Sequence, residues 1–131
     1  MTSKNKLEMV RVGIDAFNRR DFDAALALGS ENITWDRFLS RTESETPVVR
    51  GKEEIRAAWE SQVEAVDLKA EIEELIDLGD KVAAVVQMIA RGSESEILLT
   101  STVAWLWSFD SDGLINRVEV FPSLDEAVAA A

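Results

Sequence analysis

The chain has 131 residues, of which 47% are hydrophobic and 30% charged, and it contains no cysteine and no histidine. A length and composition of this kind predict a single domain over residues 1–131. Without cysteine there are no disulfides and no thiolate chemistry, and without histidine the commonest general base near neutral pH is missing. The formal net charge of −11 opposes nucleic acid and anionic membranes as partners, because both require a positive protein surface.

The cellular location follows from the apolar segments. No apolar run reaches the roughly 20 residues that a membrane-spanning helix needs. The residues after Met1 are polar and lack the apolar core of a signal peptide. We therefore expect a cytoplasmic protein that makes no contact with a membrane.

Helical periodicity dominates the first half of the chain. Apolar residues recur at intervals of three and four, which places them on one face of each predicted helix. One strand interrupts these helices, at a segment rich in β-branched and aromatic residues. The predicted elements are a helix at 6–20, a short helix at 22–28 capped by Asp21, the strand at 33–39, a polar loop at 40–47 and a helix at 53–66.

The period changes from 3.6 to 2 in the second half, which predicts a series of strands. Short Gly- and Asp-containing turns separate these strands, so consecutive strands pair antiparallel. The predicted strands are at 68–78, 82–90, 97–109 and 114–121, and a short helix capped by Ser123 or Asp125 follows them. Helices grouped before strands predict an α+β fold with these helices on one face of the sheet.

Short sequence stretches in a fixed order carry a resemblance that covers essentially the whole chain. They are FNRRDFD at 17–23, NITWD at 32–36, GKEEIRAAW at 51–59, VAWLWSFDSDGLI at 103–115, VEVF at 118–121 and SLDEA at 123–127. In this order they resemble the NTF2-like superfamily, and within it the SnoaL-like or ketosteroid-isomerase-like branch. The resemblance implies a cystatin-like α+β cone, in which a curved antiparallel or mixed sheet packs against three helices, with a short C-terminal helix. It also implies an apolar pocket in the mouth of the cone and a homodimer through the outer face of the sheet.

The catalytic positions of that superfamily are replaced in this chain. The resemblance puts Gly13 where ketosteroid isomerases have a tyrosine, Arg37 where they have the base and Trp105 where they have a second acid. Epoxide-hydrolase-like members use acids on a middle and a last strand. Here the segment 82–90 contains no acid, and Val120 occupies the last-strand position. Neither chemistry can therefore be assigned from the resemblance.

A ligand-binding interior remains as the main prediction. Alternation along the strands places side chains in three rows, each on one face of its strand. The resemblance implies that these rows face the interior of the cone, beneath residues of the helices. Arg37 and Asn116 are the only polar members, and an arginine there favours a carboxylate- or carbonyl-bearing guest. The predicted ligand-binding residues are Phe17, Trp35, Arg37, Trp59, Val103, Trp105, Trp107, Asn116, Val118 and Val120. The same aromatic residues could instead fill a core, as in a pure interaction module.

The enzymatic alternative is a polyketide-cyclase-, dehydratase- or isomerase-like protein with Asp36 or Glu74 as its base. Arg37 or the indole N–H groups of two tryptophans would then polarise a carbonyl. Asp36 alternates with Trp35, which predicts an exposed edge residue unless the strand slips by one. Glu74 falls in an apolar series, which indicates either a β-bulge or an inward carboxyl group with a raised pKa.

The segment 110–113 (DSDG) mimics part of a calcium loop. Its flanks alternate as strands and its first ligand position, residue 108, is a serine, so the segment predicts a hairpin turn. We expect no metal and no cofactor.

The longest predicted strand, 97–109, is apolar on both faces. Its odd residues form one row, and the alternate row contains Leu98, Ala104 and Leu106. This second row needs cover from another sheet, which predicts a homodimer.

Overall fold

A computed structural model describes residues 3–37, 48–92 and 98–131. The elements it contains are α1 (Ser3–Asn18), α2 (Phe22–Leu26), β1 (Gly29–Arg37), β2 (Val48–Arg50), α3 (Lys52–Ala65), β3 (Val66–Asp77), β4 (Lys81–Gly92), β5 (Leu98–Phe109), β6 (Ile115–Phe121) and α4 (Leu124–Ala130). The predicted order is confirmed, with β2 as an addition. The predicted loop at 40–47 and most of the predicted turn at 92–96 lie outside the described residues. Of the helices described, none is long and apolar enough to cross a bilayer.

The strands form a mixed sheet in the order β2-β1-β6-β5-β4-β3. β3 to β6 pair antiparallel with their sequence neighbours, whereas β1 pairs parallel with β6 and antiparallel with β2. This arrangement confirms the predicted α+β class. β2 escaped prediction because a strand of three residues is too short to show a period of 2.

The main core lies between the sheet and helices α1, α2 and α3. On α1 the apolar stripe includes Val10 and Ile14, and on α3 it includes Ile55; all three are essentially inaccessible to solvent. They pack against the buried side chains of β4 and β5 in one continuous apolar cluster. The predicted helical stripes therefore face the sheet as amphipathic helices do.

The opposite face of the sheet is covered in part by α4. Ala127 of this helix packs against Ala104 and Leu106, which are fully buried. Sequence analysis assigned the cover of these two residues to a second sheet, but the chain supplies it with its own C-terminal helix. Ser123 caps α4 by accepting a hydrogen bond from the backbone N–H of Glu126, as predicted.

The sequence stretch at 17–23 fastens the α1–α2 loop to the edge of the sheet. The side-chain amide of Asn18 donates to the carbonyl of Ala70 at 2.8 Å, and its oxygen accepts from the N–H of Ala70 at 2.8 Å. Arg20, held at a positive φ of 63°, donates to the carbonyl of Leu68 and pairs with Asp67 at 3.0 Å. These side chains satisfy backbone groups on β3, the outermost strand, and so blunt that edge.

Replacing Asn18 with alanine removes both hydrogen bonds and leaves the partly buried N–H and carbonyl of Ala70 without these partners. We expect Asn18→Ala to lower the free energy of unfolding by about 2 kcal/mol in urea denaturation. Asn32→Ala, at an exposed asparagine of β1, is the matched control and should change the free energy by less than about 0.5 kcal/mol. Equal midpoints for the two variants would show that the Asn18–Ala70 pairing contributes no stability.

Candidate functional site

Aromatic side chains converge beneath the helices from four elements. Trp105 and Trp107 point from β5 into this layer, and each is 5% exposed. Phe17 of α1, Trp35 of β1 and Trp59 of α3 are equally buried in the same cluster. The predicted alternation along β5 is observed from Val103 onward, where the odd row faces the helices and the even residues Ala104 and Leu106 face α4. It does not extend to the start of the strand, because Leu99 of the odd row is 66% exposed.

The rings are in direct contact with one another. Phe17 lies edge-on to Trp59, with ring centroids 5.6 Å apart, and edge-on to Trp105 at 6.0 Å. Trp35 meets Trp59 edge-on at 5.6 Å. Edge-to-face pairs of this kind add about 0.5–1.5 kcal/mol each beyond the burial of their area. The aromatic residues therefore form one connected cluster, which we call the aromatic interior.

Phe22 belongs to the aromatic interior although the sequence analysis did not select it. Its ring lies 5.7 Å from Phe17 and 5.6 Å from Trp59. It is the first residue of α2, a helix of five residues, which is too short to show an amphipathic period. The signal available in the sequence was the capping residue Asp21, which predicts that a helix begins at this large aromatic residue.

Two indole N–H groups in the aromatic interior lack partners. The Nε1 atoms of Trp105 and Trp107 are buried and form no hydrogen bond within the described structure. Their rings are neighbours, with centroids 5.8 Å apart and planes inclined by 35°. A buried donor without an acceptor costs about 1–3 kcal/mol. An acceptor atom brought to these nitrogens would recover part of that free energy.

The indole of Trp107 lies close to Gly13 of α1. A Cβ atom at this position would lie 3.5 Å from Cη2 of Trp107 and 3.7 Å from Leu28. The indole therefore rests against the helix backbone at the position where the resemblance expects a tyrosine. A large side chain at Gly13 and the indole of Trp107 would compete for the same space.

The valines of the predicted site also lie in the core that contains the aromatic interior. Val103 of β5 and Val118 and Val120 of β6 are buried there. Asn116 differs from the predicted alternation, because it is exposed. Its neighbour Ile115, 1% exposed, is buried with the core instead.

A β-bulge accounts for the exposed position of Asn116. Ile115 pairs with Phe109 and Arg117 pairs with Ser108, so two steps on β6 correspond to one step on β5. Asn116 is the extra residue, and the side-chain alternation changes phase across it.

Arg37 is the last residue of β1 and pairs with Val120 in the parallel register. Its side chain lies outside the described part of the structure. Its predicted contact with a ligand therefore stays a prediction.

Asp36 lies on the face of β1 opposite to Trp35 and is 2% exposed. The prediction of an exposed edge residue is wrong, because β2 and β6 flank β1 on both sides. Nη2 of Arg117 donates to Oδ2 of Asp36 at 2.6 Å and lies 3.4 Å from Oε2 of Glu119. The hydrogen bond to Asp36 raises the pKa of Arg117. Burial raises the pKa of Glu119, and the nearby Arg117 opposes this shift.

Glu74, the second candidate base, is exposed on β3. The register between β3 and β4 shifts between Ile72 and Glu74, which confirms the predicted bulge. Neither candidate base therefore lies in the aromatic interior. Within the described ranges, the buried charged residues are Asp36 and Glu119, and both are outside the cluster that contains the tryptophans.

The segment 110–113 is a hairpin turn, as predicted. Oδ1 of Asp110 accepts hydrogen bonds from the backbone N–H groups of Asp112 at 2.9 Å and Leu114 at 3.0 Å. Gly113 takes a positive φ of 81°. Residues 3–37, 48–92 and 98–131 contain no group of three acidic side chains placed to hold a metal ion.

A surface depression of about 340 Å³ lies elsewhere, where β1, β2 and the start of α3 meet. It is lined by Glu31, Asn32, Arg50 and Gly51 and involves no aromatic residue. Glu31 is 3.7 Å from Lys52, so a surface ion pair forms beside it. The depression therefore shares no lining residue with the aromatic interior.

The raised pKa of Glu119 has a consequence for stability. Because the folded protein holds this proton more tightly than the unfolded chain does, the associated stability is present at low pH. It is lost as the pH rises from the unfolded pKa through the folded pKa. Glu119→Gln stays neutral and avoids that loss. We expect it to melt roughly 3 °C above the unmodified protein at pH 7 and to approach it near pH 4.

Glu73→Gln, at an exposed glutamate of β3, is the control for this measurement and should show no such pH-dependent difference. Parallel melting curves for Glu119→Gln and Glu73→Gln across this pH range would contradict the assignment of a raised pKa.

Solved structures share this fold at low sequence identity. A Mycobacterium tuberculosis protein in complex with estradiol-17beta-hemisuccinate is 16% identical, with a TM-score of 0.76 over 91% of this chain and 94% of that chain. A Catenulispora acidiphila protein with a ketosteroid-isomerase-like fold, in complex with trimethylamine, is 15% identical, with a TM-score of 0.76 over 93% and 90%. SalBIII, an epoxide hydrolase/cyclase-like enzyme of pyran ring formation in salinomycin, is 20% identical, with a TM-score of 0.75 over 95% and 96%.

These likenesses establish the architecture, and the sequence itself establishes the family. No curated protein matches the sequence significantly. The family model of the SnoaL-like domain matches residues 10–118, which is most of the chain. The predicted NTF2-like fold with its SnoaL-like and ketosteroid-isomerase-like character is confirmed. The chain belongs to the SnoaL-like domain family.

Proposed function

We propose that this protein binds a small apolar or amphipathic molecule, bearing a carbonyl or carboxylate group, in the aromatic interior. One observation carries the proposal: the unpartnered N–H groups of Trp105 and Trp107, buried side by side. Apolar core packing alone would place phenylalanine or leucine at these positions without leaving a donor unsatisfied. Oxygen atoms of a ligand would accept hydrogen bonds from both indole N–H groups.

The surroundings of the indoles suit an apolar ligand body. Phe17, Trp35 and Trp59 present ring faces and edges, and the valine rows of β5 and β6 supply aliphatic surface. Binding sites for small molecules combine such apolar walls with a few convergent polar groups. Here the convergent groups are donors, which favours a ligand whose polar atoms are acceptors.

The solved relatives are consistent with this proposal. The Mycobacterium tuberculosis protein holds estradiol-17beta-hemisuccinate, an apolar ring system that bears a carboxylate. The Catenulispora acidiphila protein holds trimethylamine, a much smaller molecule. The same architecture therefore accepts guests of different size and polarity in other proteins.

The enzymatic alternative has less support. A cyclase or isomerase mechanism of the kind considered above requires a base beside the ligand. Asp36 faces away from the aromatic interior and is bound to Arg117, and Glu74 is exposed. The proposal is therefore binding, without catalysis by either acid.

We also propose that the protein is a cytoplasmic homodimer. Leu98 and Leu99, at the start of β5, are 51% and 66% exposed. Because successive side chains of a strand point to opposite faces, these two leucines expose apolar surface on both faces of β5, and such surface favours association. Light scattering at micromolar concentration should give twice the mass of the chain, and a monomeric mass would contradict the proposal.

The binding proposal predicts a specific response to removal of the indole donors. Trp105→Phe and Trp107→Phe keep an aromatic ring but lose the N–H group. Each should weaken binding of a carbonyl-bearing ligand about tenfold, which corresponds to one hydrogen bond of about 1.4 kcal/mol. The probe is estradiol-17beta-hemisuccinate, with smaller apolar ketones in parallel, and the measurement is isothermal titration calorimetry.

Leu106→Val is the matched control, because Leu106 is buried on the same strand but faces α4. It should lower stability without changing the dissociation constant. If no ligand of this class binds the unmodified protein, or if Leu106→Val weakens binding as much as the tryptophan variants, the proposal is wrong.

A further inference from the structure

Trp105 and Trp107 place two hydrogen-bond donors on the same face of β5. They are two positions apart on one strand, so their side chains point to the same side of the sheet. Each residue is 5% exposed, and the Nε1 atom of each is buried without an acceptor. Hydrogen bonds to a charged acceptor are about twice as strong as those to a neutral one, and a water-poor interior strengthens them further. These donors therefore favour an oxygen that carries negative charge over a neutral carbonyl oxygen.

The walls around the two indoles are apolar. Phe17 lies edge-on to both Trp59 and Trp105, and Val103 and Val118 belong to the same core cluster. A carboxylate loses its hydration when it enters surroundings of this kind, and its ionised form is then destabilised. Such a site favours a reaction that removes the carboxylate and moves its negative charge onto an oxygen held by the two donors.

Loss of carbon dioxide from a β-keto acid has both properties and needs no base on the protein. The bond between the central carbon and the carboxylate carbon breaks, and its electron pair forms a double bond to the carbonyl carbon. The π electrons of the carbonyl group move to the carbonyl oxygen, and carbon dioxide leaves. The resulting enolate takes one proton from water at the central carbon and becomes a methyl ketone.

We propose that the protein decarboxylates apolar β-keto acids in the aromatic interior, with the N–H groups of Trp105 and Trp107 stabilising the enolate oxygen. The reaction rests on the proposed binding function, to which it adds a chemical step. Donors placed at an oxygen that gains charge lower the barrier, because they bind the transition state more strongly than the substrate. Asp36 and Glu74 have no role in this step, since Asp36 is bound to Arg117 and Glu74 is exposed.

Two matched compounds separate the reaction from binding. Benzoylacetate is a β-keto acid, and its decarboxylation is measured as acetophenone by chromatography. We expect the protein to accelerate this reaction at least about hundredfold over the spontaneous rate, since one oxyanion donor contributes about 10²–10³-fold. Benzoylpropanoate, with one more methylene group between carbonyl and carboxylate, cannot form an enolate by losing carbon dioxide and reports binding alone in calorimetry.

The two compounds also distinguish two kinds of failure. If benzoylpropanoate binds but benzoylacetate reacts at its spontaneous rate, the decarboxylation is overturned and the binding function stands. If neither compound binds, both proposals are overturned.

Variants of the two tryptophans test the donors. Trp105→Phe and Trp107→Phe should each lower kcat about hundredfold, in addition to the weaker binding expected above. Glu74→Gln, at an exposed acid of β3, is the control and should keep the rate of the unmodified protein. A rate that both tryptophan variants retain, or that Glu74→Gln abolishes, contradicts the role of the indoles.

A substrate without a proton on its central carbon tests the mechanism with no change in the protein. Dimethylbenzoylacetate carries two methyl groups on that carbon, so a base has no proton to remove, but the compound still loses carbon dioxide. The protein should accelerate its decarboxylation as it does that of benzoylacetate. Acceleration of benzoylacetate alone would overturn the proposed mechanism.

Discussion

The burial of Trp105 and Trp107 on one face of β5 is the constraint on which the rest of the site depends. β5 is held between β4 and β6, so its two faces are fixed, and the indoles face the helices. The indole of Trp107 lies against α1 at Gly13, where an added Cβ atom would be 3.5 Å from it. On the reverse face the small Ala104 lets α4 pack closely over the sheet. β5 therefore pairs with two strands, carries part of the aromatic interior on one face and contacts α4 on the other.

Local periodicity was sufficient to predict this strand and the two long helices, α1 and α3. The stripes of α1 and α3 repeat over ten or more residues, and the odd row of β5 runs from Val103 to Phe109, which is long enough for the pattern to identify the face that meets the helices. The bulge at Glu74 was also predictable, because an acid stood in an apolar series. These features depend on residues close together in the sequence.

The parts that differed depend on residues distant in sequence. Asp36 is buried because β1 lies between β2 and β6, and β6 begins about eighty residues later in the chain. Asn116 is exposed because β6 shifts register against β5. Phe22 joins the aromatic interior through contacts with α1 and α3. None of these positions follows from a local pattern, since each requires knowledge of the neighbouring strand or helix.

Buried polar groups occur in two places in the described structure. The buried acids Asp36 and Glu119 both pair with Arg117 on one side of the sheet. The aromatic interior on the other side contains unsatisfied donors. A donor-lined apolar interior suits recognition of an acceptor, because binding then satisfies groups that the folded protein leaves open. In the proposed function, the N–H groups of Trp105 and Trp107 are the donors that a bound ligand would satisfy.

The most direct measurement is the response of the indole N–H signals in a ¹H–¹⁵N NMR spectrum to an added carbonyl-bearing ligand. The chain has four tryptophans, so four signals are expected, and Trp→Phe variants assign them. The account predicts that the signals of Trp105 and Trp107 move downfield as each N–H gains an acceptor and that they exchange more slowly with solvent. If both signals stay in place while a ligand binds, the central claim is contradicted.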